Sequence, residues 1–216
     1  MIYIRKGKAP DELIEFRKQN PNFGFDDLLS DVKAVLRKSL LDEQGSLCAY
    51  CMNRIHDDAD EVKIEHYVPR TPDNELDYGN LLAVCKGSEG KTRKRQHCDT
   101  RKGNSELHID PQNPEHMRQI SYKPDGTIFA RDNDGFNRDI NETLNLNDDF
   151  GYLKNNRKTV LDQFKSWLKT KLGDKSAAPD FMKKVLASYT YRNNGELKPY
   201  CGIIIEYICR RLNAQV

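Results

Sequence analysis

The sequence has no apolar run approaching the roughly 18 to 20 residues of a membrane-crossing helix. Its start, MIYIRKGKAP, carries charges with no apolar stretch behind them, so it does not read as a secretory signal. There is no internal repeat and no low-complexity tract. Excess charge is also lacking. The 35 Lys and Arg face 33 Asp and Glu, a net +2, so any surface for a polyanion must be local. Apolar residues are only 37% of the 216, against 31% charged. Such a chain can build a modest core, and one part of it is expected to need a metal. The expectation is a soluble cytoplasmic protein with no membrane partner. Disulfides are rare in that compartment, so six cysteines ask for another explanation.

Three stretches differ in texture. In residues 1–46, DELIEFRKQN and DDLLSDVKAVLRKSLLDEQG space Leu, Val and Phe at three and four residues, as amphipathic helices do. Asp11 and Asp26 are the expected N-caps, and Gly45 the expected stop. This region reads as a packing collar. Residues 47–108 hold four of the six Cys and four of the five His, with short apolar runs between turn-rich segments. In residues 109–216, DPQNPEH reads as a loop, and ISYKPDGTIFARD as a hairpin around Pro-Asp-Gly. Helices are expected at about 139–172, broken near Asn145–Asp149, then at 179–190 and 199–212. The fold class is α+β and mostly helical.

Cys48 and Cys51 form a C-x-x-C, which puts two thiolates on one side of a tight turn. Cys85 and Cys98 frame the charged, glycine-containing insert KGSEGKTRKRQH and converge if it loops out. The reading is a structural Zn²⁺ site with ligands Cys48, Cys51, Cys85 and Cys98, with His97 as a substitute for Cys98. A thioredoxin-like redox pair is the rival, but no βαβ setting surrounds the motif. Cys201 and Cys209, in an apolar helix, read as buried free thiols.

Between the two halves of that site lies KIEHYVPR, with Glu65 beside His66. Asn80 follows in LDYGNLLAVC, and Asp99 in HCDTRKGN. In this order the motifs resemble the HNH endonucleases. More closely, they resemble those of the retron and Septu anti-phage defence type, the PtuB-like nucleases. The matching residues are Cys48-Ala49-Tyr50-Cys51, Ile64-Glu65-His66, Asp77-Tyr78-Gly79-Asn80-Leu81-Leu82 and His97-Cys98-Asp99, all within residues 47–103. The resemblance implies a ββα-metal nuclease core braced by the zinc site and flanked by helices. It implies His66 as general base, Glu65 and Asp99 as ligands of Mg²⁺ or another divalent cation, and Asn80 as the residue that orients His66 or fixes the metal loop. Many such motifs carry His where Asp99 stands. His97 is therefore open as a ligand of the catalytic ion, a zinc ligand or a phosphate contact. His56 and His108 read as surface residues.

The basic residues Lys91, Arg93, Lys94, Arg95, Arg101 and Lys102 suit a phosphate backbone, with DNA and RNA not distinguished. No recognition helix for base edges is evident. The resemblance adds partners: a PtuA-like ABC-type ATPase, and in retron versions a reverse transcriptase with its DNA–RNA hybrid. This chain has no Walker A glycine loop, so that ATPase would act in trans. Two alternatives stay open: a stand-alone restriction-type HNH nuclease, and a zinc-stabilised nucleic-acid-binding module without catalysis.

Overall fold

The computed structural model describes residues 1–173, 175 and 177–212. Two helices open the chain, α1 (Asp11–Gln19) and α2 (Ser30–Gln44). Both bury the predicted apolar face, Leu13 and Phe16 on α1 and Val32, Leu36, Leu40 and Leu41 on α2. The predicted caps differ. Pro10 precedes α1, leaving Asp11 inside the first turn, where its charge suits the helix dipole. Asp26 sits in a short 3₁₀ turn, Phe25–Asp27, and pairs with Arg70 at 2.9 Å, so α2 starts only at Ser30. Gly45 does end α2, with φ +62°, where a Cβ would strike Leu197.

Strand β1 (Val62–His66) pairs antiparallel with β2 (Leu81–Cys85), in register from Val62↔Cys85 to His66↔Leu81. All five residues of β2 are buried, which accounts for their unbroken apolar run. The other edge of β2 is closed at Ala83. Its N–H donates to the Gln44 side-chain oxygen at 2.8 Å, and its carbonyl accepts from Gln44 Nε2 and the Ala49 N–H. The Gln44 side chain from α2, with the Ala49 N–H, thus takes the place of a third strand. Short helix α3 (Cys98–Lys102) then packs on this hairpin.

The segment DPQNPEH is not wholly a loop. It holds helix α4 (Pro114–Arg118), capped by the Asn113 side chain on the Glu115 N–H at 2.9 Å. Pro114 fits there because the first helical position needs no N–H. The hairpin expected after it is present as β3 (Ile120–Tyr122) and β4 (Ile128–Ala130). Helix begins earlier than expected, at α5 (Asp134–Arg138), because Asn133 caps the Phe136 N–H. A π-helical turn, Asp139–Thr143, follows, and then α6 (Tyr152–Leu172) beyond the expected break. Helices α7 (Pro179–Thr190) and α8 (Cys201–Arg211) close the described chain. Buried residues from all three stretches join one core. No helix among the described residues is long and apolar enough to cross a membrane.

Arg157 on α6 is 1% exposed. Its guanidinium donates to the carbonyl oxygens of Gly126 at 2.6 Å and Leu146 at 2.8 Å, and to the Asn147 side chain at 3.0 Å. It therefore ties the β3–β4 turn to the segment that reaches the start of α3. Arg157→Ala leaves two buried carbonyls without donors. It is expected to cost about 2–4 kcal/mol, read from the shift in urea denaturation midpoint at constant m-value. An unchanged midpoint would show that these carbonyls find other partners.

Candidate metal centre and active-site cleft

Cys48 and Cys51 lie on a tight turn just after α2, Cys85 ends β2, and Cys98 starts α3. The turn is closed by the Met52 N–H on the Cys48 carbonyl at 3.0 Å and the Cys48 N–H on the Asn53 carbonyl at 2.9 Å. The insert between Cys85 and Cys98 loops out as expected, and its two ends meet where the His97 N–H donates to the Gly87 carbonyl at 3.0 Å. Gly87 is required at this crossing. It has φ +53°, and a Cβ there would lie 1.9 Å from the His97 carbonyl oxygen.

The four sulfurs lie within 4.8 Å of one another and all four residues are buried. Cys48 and Cys98 are 3.8 Å apart at Sγ, as are Cys51 and Cys85. A disulfide needs about 2.05 Å, so these pairs are not bonded. An ion with four tetrahedral sulfurs at about 2.3 Å sets them about 3.8 Å apart. The donor set and spacing therefore fit a thiophilic metal ion. Titration points the same way. Burial raises the Cys48 thiol, but hydrogen bonds from Cys51, Cys85 and Cys98 outweigh it and draw Cys48 well down. Burial and the neighbouring sulfurs push Cys98 well up. One thiolate here opposes the next, and a bound cation removes that conflict.

The second cluster lies on the side of β1 that faces α3. Lys63 and Glu65 are two apart on the strand and so share a face. Lys63 Nζ contacts Asp99 at 3.4 Å, Glu89 at 2.9 Å and the Thr100 hydroxyl at 3.1 Å. Glu65 is buried, and Lys102 Nζ lies 2.7 Å from its Oε1. The Tyr50 hydroxyl donates to the same oxygen at 3.2 Å. Burial and the adjacent Asp99 carboxyl push Glu65 up to about 8, against the opposing pull of Lys102. Glu65, His66, Asp99 and Lys102, with Phe25 and Arg70, line one open cleft of about 300 Å³.

His66 ends β1, half-buried, with Phe25 edge-on to its ring at 4.8 Å between centres. Its Nε2 lies 2.9 Å from the Glu75 carbonyl oxygen. A carbonyl only accepts, so Nε2 carries the proton, and in the neutral ring Nδ1 keeps a lone pair. Burial lowers the pKa of His66, with Arg70 and Lys102 acting in the same sense, which favours that neutral ring. Asn80, buried, spends its whole amide on one backbone unit. Its Oδ1 accepts from the Val68 N–H at 2.7 Å and its Nδ2 donates to the Val68 carbonyl at 3.0 Å. It fixes the loop just after His66 and does not line the cleft.

Two expectations change. Lys102 is not a surface contact for phosphate: its side chain is 1% exposed, and its ammonium is held by Glu65 and the His66 carbonyl. His97 lies at the cysteine cluster, with Nδ1 3.2 Å from Cys98 Sγ, and does not line the cleft with Glu65 and Asp99. Arg101 is partly committed, donating to the carbonyls of Arg93 and Glu142. Lys91, Arg93, Lys94 and Arg95 are exposed. His56 and His108 are exposed, and Cys201 and Cys209 are buried with free thiols. The sequence reading missed Tyr50 as a partner of Glu65, although it lies within the C-A-Y-C turn. It also missed the Glu75 carbonyl, which carries no side-chain signal.

No family model matches the chain. Its sequence is similar to curated proteins, among them two HNH endonucleases named for retrons and a Septu protein. One is named as the HNH endonuclease of retron Ec83 of Escherichia coli, 34% identical over 98 residues, 40% of this chain and 38% of the relative. Another is named as that of retron Vc95 of Vibrio cholerae, 31% identical over 142 residues, 61% of this chain and 66% of the relative. The third is the Septu protein PtuB of Bacillus thuringiensis, 28% identical over 94 residues, 42% of this chain and 37% of the relative. These relatives are of the type that the motifs resemble. The chain matches between 37% and 66% of these relatives' own length.

The purified chain is expected to carry one tightly held metal ion, measured by mass spectrometry. Stripping it with a strong chelator, or Cys98→Ser, should lower the melting temperature sharply, because ion binding at such a site contributes on the order of 10 kcal/mol. A metal-free chain with unchanged melting would overturn the metal centre.

Proposed function

We propose that the chain is a metal-dependent HNH endonuclease that hydrolyses phosphodiester bonds in nucleic acid, with its nuclease core in residues 47–108. In this reading β1, β2 and α3 form a ββα-metal core, and the four cysteines hold a structural Zn²⁺. The observation that carries the reading is the His66 tautomer. The Glu75 carbonyl occupies Nε2–H at 2.9 Å, so Nδ1 is left as a base in a cleft that also holds two carboxylates.

The chemistry follows from those groups. His66 Nδ1 accepts a proton from water as the water oxygen attacks phosphorus, and the bond to the leaving oxygen breaks. The fixed Nε2–H bond holds the ring and stabilises it when it becomes positive. Glu65 and Asp99, adjacent and partly buried, repel each other when both are charged, which fits a hard divalent ion between them. Bound there, Mg²⁺ or a similar ion would supply charge neutralisation at the phosphoryl and leaving oxygens. Lys102 joins Glu65 to the His66 carbonyl and so keeps the carboxylate and the base in fixed relation. Asn80 holds the following loop.

The retron and Septu names of the relatives support a place in such a defence system. The motif resemblance adds the rest of the reading: a cytoplasmic setting beside a PtuA-like ABC-type ATPase and, in a retron setting, a reverse transcriptase with its DNA–RNA hybrid. The helices outside residues 47–108 are the proposed docking surface.

His66→Ala is expected to lower magnesium-dependent nicking by about 10² to 10⁴-fold, with folding and metal content retained. Undiminished nicking would sink the assignment, and no nicking by the wild type with or without its ATPase would favour a non-catalytic binding module. A second variant addresses the basic insert. Reversing Arg93 and Arg95 to Glu should weaken nucleic-acid binding and flatten its dependence on salt concentration. An unchanged slope of affinity against salt would remove these two residues from the interface.

A further inference from the structure

The basic insert does not stand alone. Asn145 donates from Nδ2 to the carbonyl oxygens of Lys94 at 3.1 Å and Gln96 at 2.8 Å. The Cys98 N–H donates to the Leu144 carbonyl at 2.9 Å. These bonds clamp residues 94–98 to the segment 144–152. Two aromatic rings emerge from that segment beside the cations. Phe150 is 52% exposed and Tyr152 is 53% exposed. The Arg95 guanidinium lies 4.3 Å from the centre of the Phe150 ring. Tyr152 stacks on buried His97, with ring centres 6.4 Å apart and planes 26° from parallel.

We propose that Phe150, Tyr152 and Arg95, with Lys91, Arg93 and Lys94 around them, form a stacking platform for the unpaired nucleotides of a single-stranded DNA or RNA segment. The proposal rests on the nuclease reading for why a strand approaches the cleft. Backbone binding of a duplex needs only cations, because duplex bases hide their faces in one another. Unpaired bases expose those faces, and aromatic rings and guanidinium planes receive them. The charge balance favours a polyanion. Among the described residues none of Lys91, Arg93, Lys94 and Arg95 is held in an ion pair. Glu89 is bound by Lys63 and Asp148 is buried, while Asp149 and Glu142 are exposed, so the four cations of the insert outnumber the exposed carboxylates of the segment clamped to it. Position favours it as well. Arg101 of α3 donates to the Arg93 carbonyl at 2.8 Å, while Asp99 of the same short helix lines the cleft. A strand on the platform thus lies one helix away from the cleft.

The test is fluorescence anisotropy of the full chain with labelled oligothymidine, oligouridine and a duplex, each of about 15 nucleotides or base pairs. Phe150→Ala is expected to weaken single-strand binding about 5- to 100-fold and duplex binding less than about twofold, with Phe150→Trp restoring the single-strand affinity. The oligothymidine and oligouridine arms tell a DNA strand from an RNA strand. Equal wild-type affinity for single strand and duplex would overturn the platform, as would single-strand binding that survives Phe150→Ala. Binding to neither would do so too and would leave the rings to a protein partner. His66→Ala, measured alongside, separates the two readings: it is expected to remove cleavage without moving these affinities, so a failed nuclease assignment appears in the cleavage arm alone.

Discussion

Four sulfur atoms converge where three distant parts of the described chain meet. Cys48 and Cys51 follow α2, Cys85 ends β2 and Cys98 begins α3. Bringing them within 4.8 Å of one another fixes the hairpin against the first helices and α3 against the hairpin. The backbone is bent to allow it. Met52 and Cys98 both take left-handed φ values, +63° and +53°, without being glycine. Such residues are strained by about 1–2 kcal/mol each and persist where surrounding contacts over-determine them. Here the contacts are the sulfur cluster, the Leu144 carbonyl on the Cys98 N–H, and the Met52 carbonyl that accepts the Tyr200 N–H at the start of α8. Helix α8 can approach that turn because Gly202 faces the Met52 sulfur; a Cβ there would lie 2.8 Å from it.

The same constraint sets the cleft. Asp99 and Lys102 are placed by α3, whose first residue is a cluster cysteine, while Glu65 and His66 are placed by β1, which pairs with the strand that ends in another. A buried ion pair such as Glu65–Lys102 is weak as a source of stability, because desolvating both charges offsets their attraction. Its value here is geometric. Lys102 reaches Glu65 and the His66 carbonyl together, at 2.7 and 3.1 Å, so it locks α3 to the end of β1. Charge is also balanced locally: Glu65 and Asp99 face Lys102 and Lys63.

The order of the chemistry-bearing residues was legible in the sequence because local spacing carries it. The C-x-x-C turn, the apolar run of β2, the Pro-Asp-Gly hairpin and the last helix all follow from near-neighbour patterns. What was not legible depends on depth and on distant backbone. Lys102 stands in a basic run and was read as a surface cation, yet the turn of α3 puts it under the cleft; a run of charges carries no sign of which side chain is buried. Arg157 is a polar residue on an otherwise amphipathic helix, and its carbonyl partners lie 11 and 31 residues away. The cap expected at Asp11 is displaced by one residue, since Pro10 takes the N-cap position; that at Asp26 involves distant sequence. Asp26 pairs with Arg70, 44 residues on, and lies in the 3₁₀ turn before the helix that it is expected to start.

The basic insert gains its meaning from the cluster as well. A charged twelve-residue loop would ordinarily sample many orientations, and its closure would fix only its ends. Both ends here are cluster cysteines, and Gly87 lets them cross within hydrogen-bonding distance of each other. Asn145 then pins the returning limb at two carbonyls, and Arg101 pins Arg93. The loop is thereby held from three sides, in register with α3. One knot of thiols therefore orients two surfaces at once: the carboxylate and imidazole cleft on one side of α3, and the cations with their exposed rings on the other. The placement of the cleft groups and of the exposed rings and cations therefore shares a single mechanical origin.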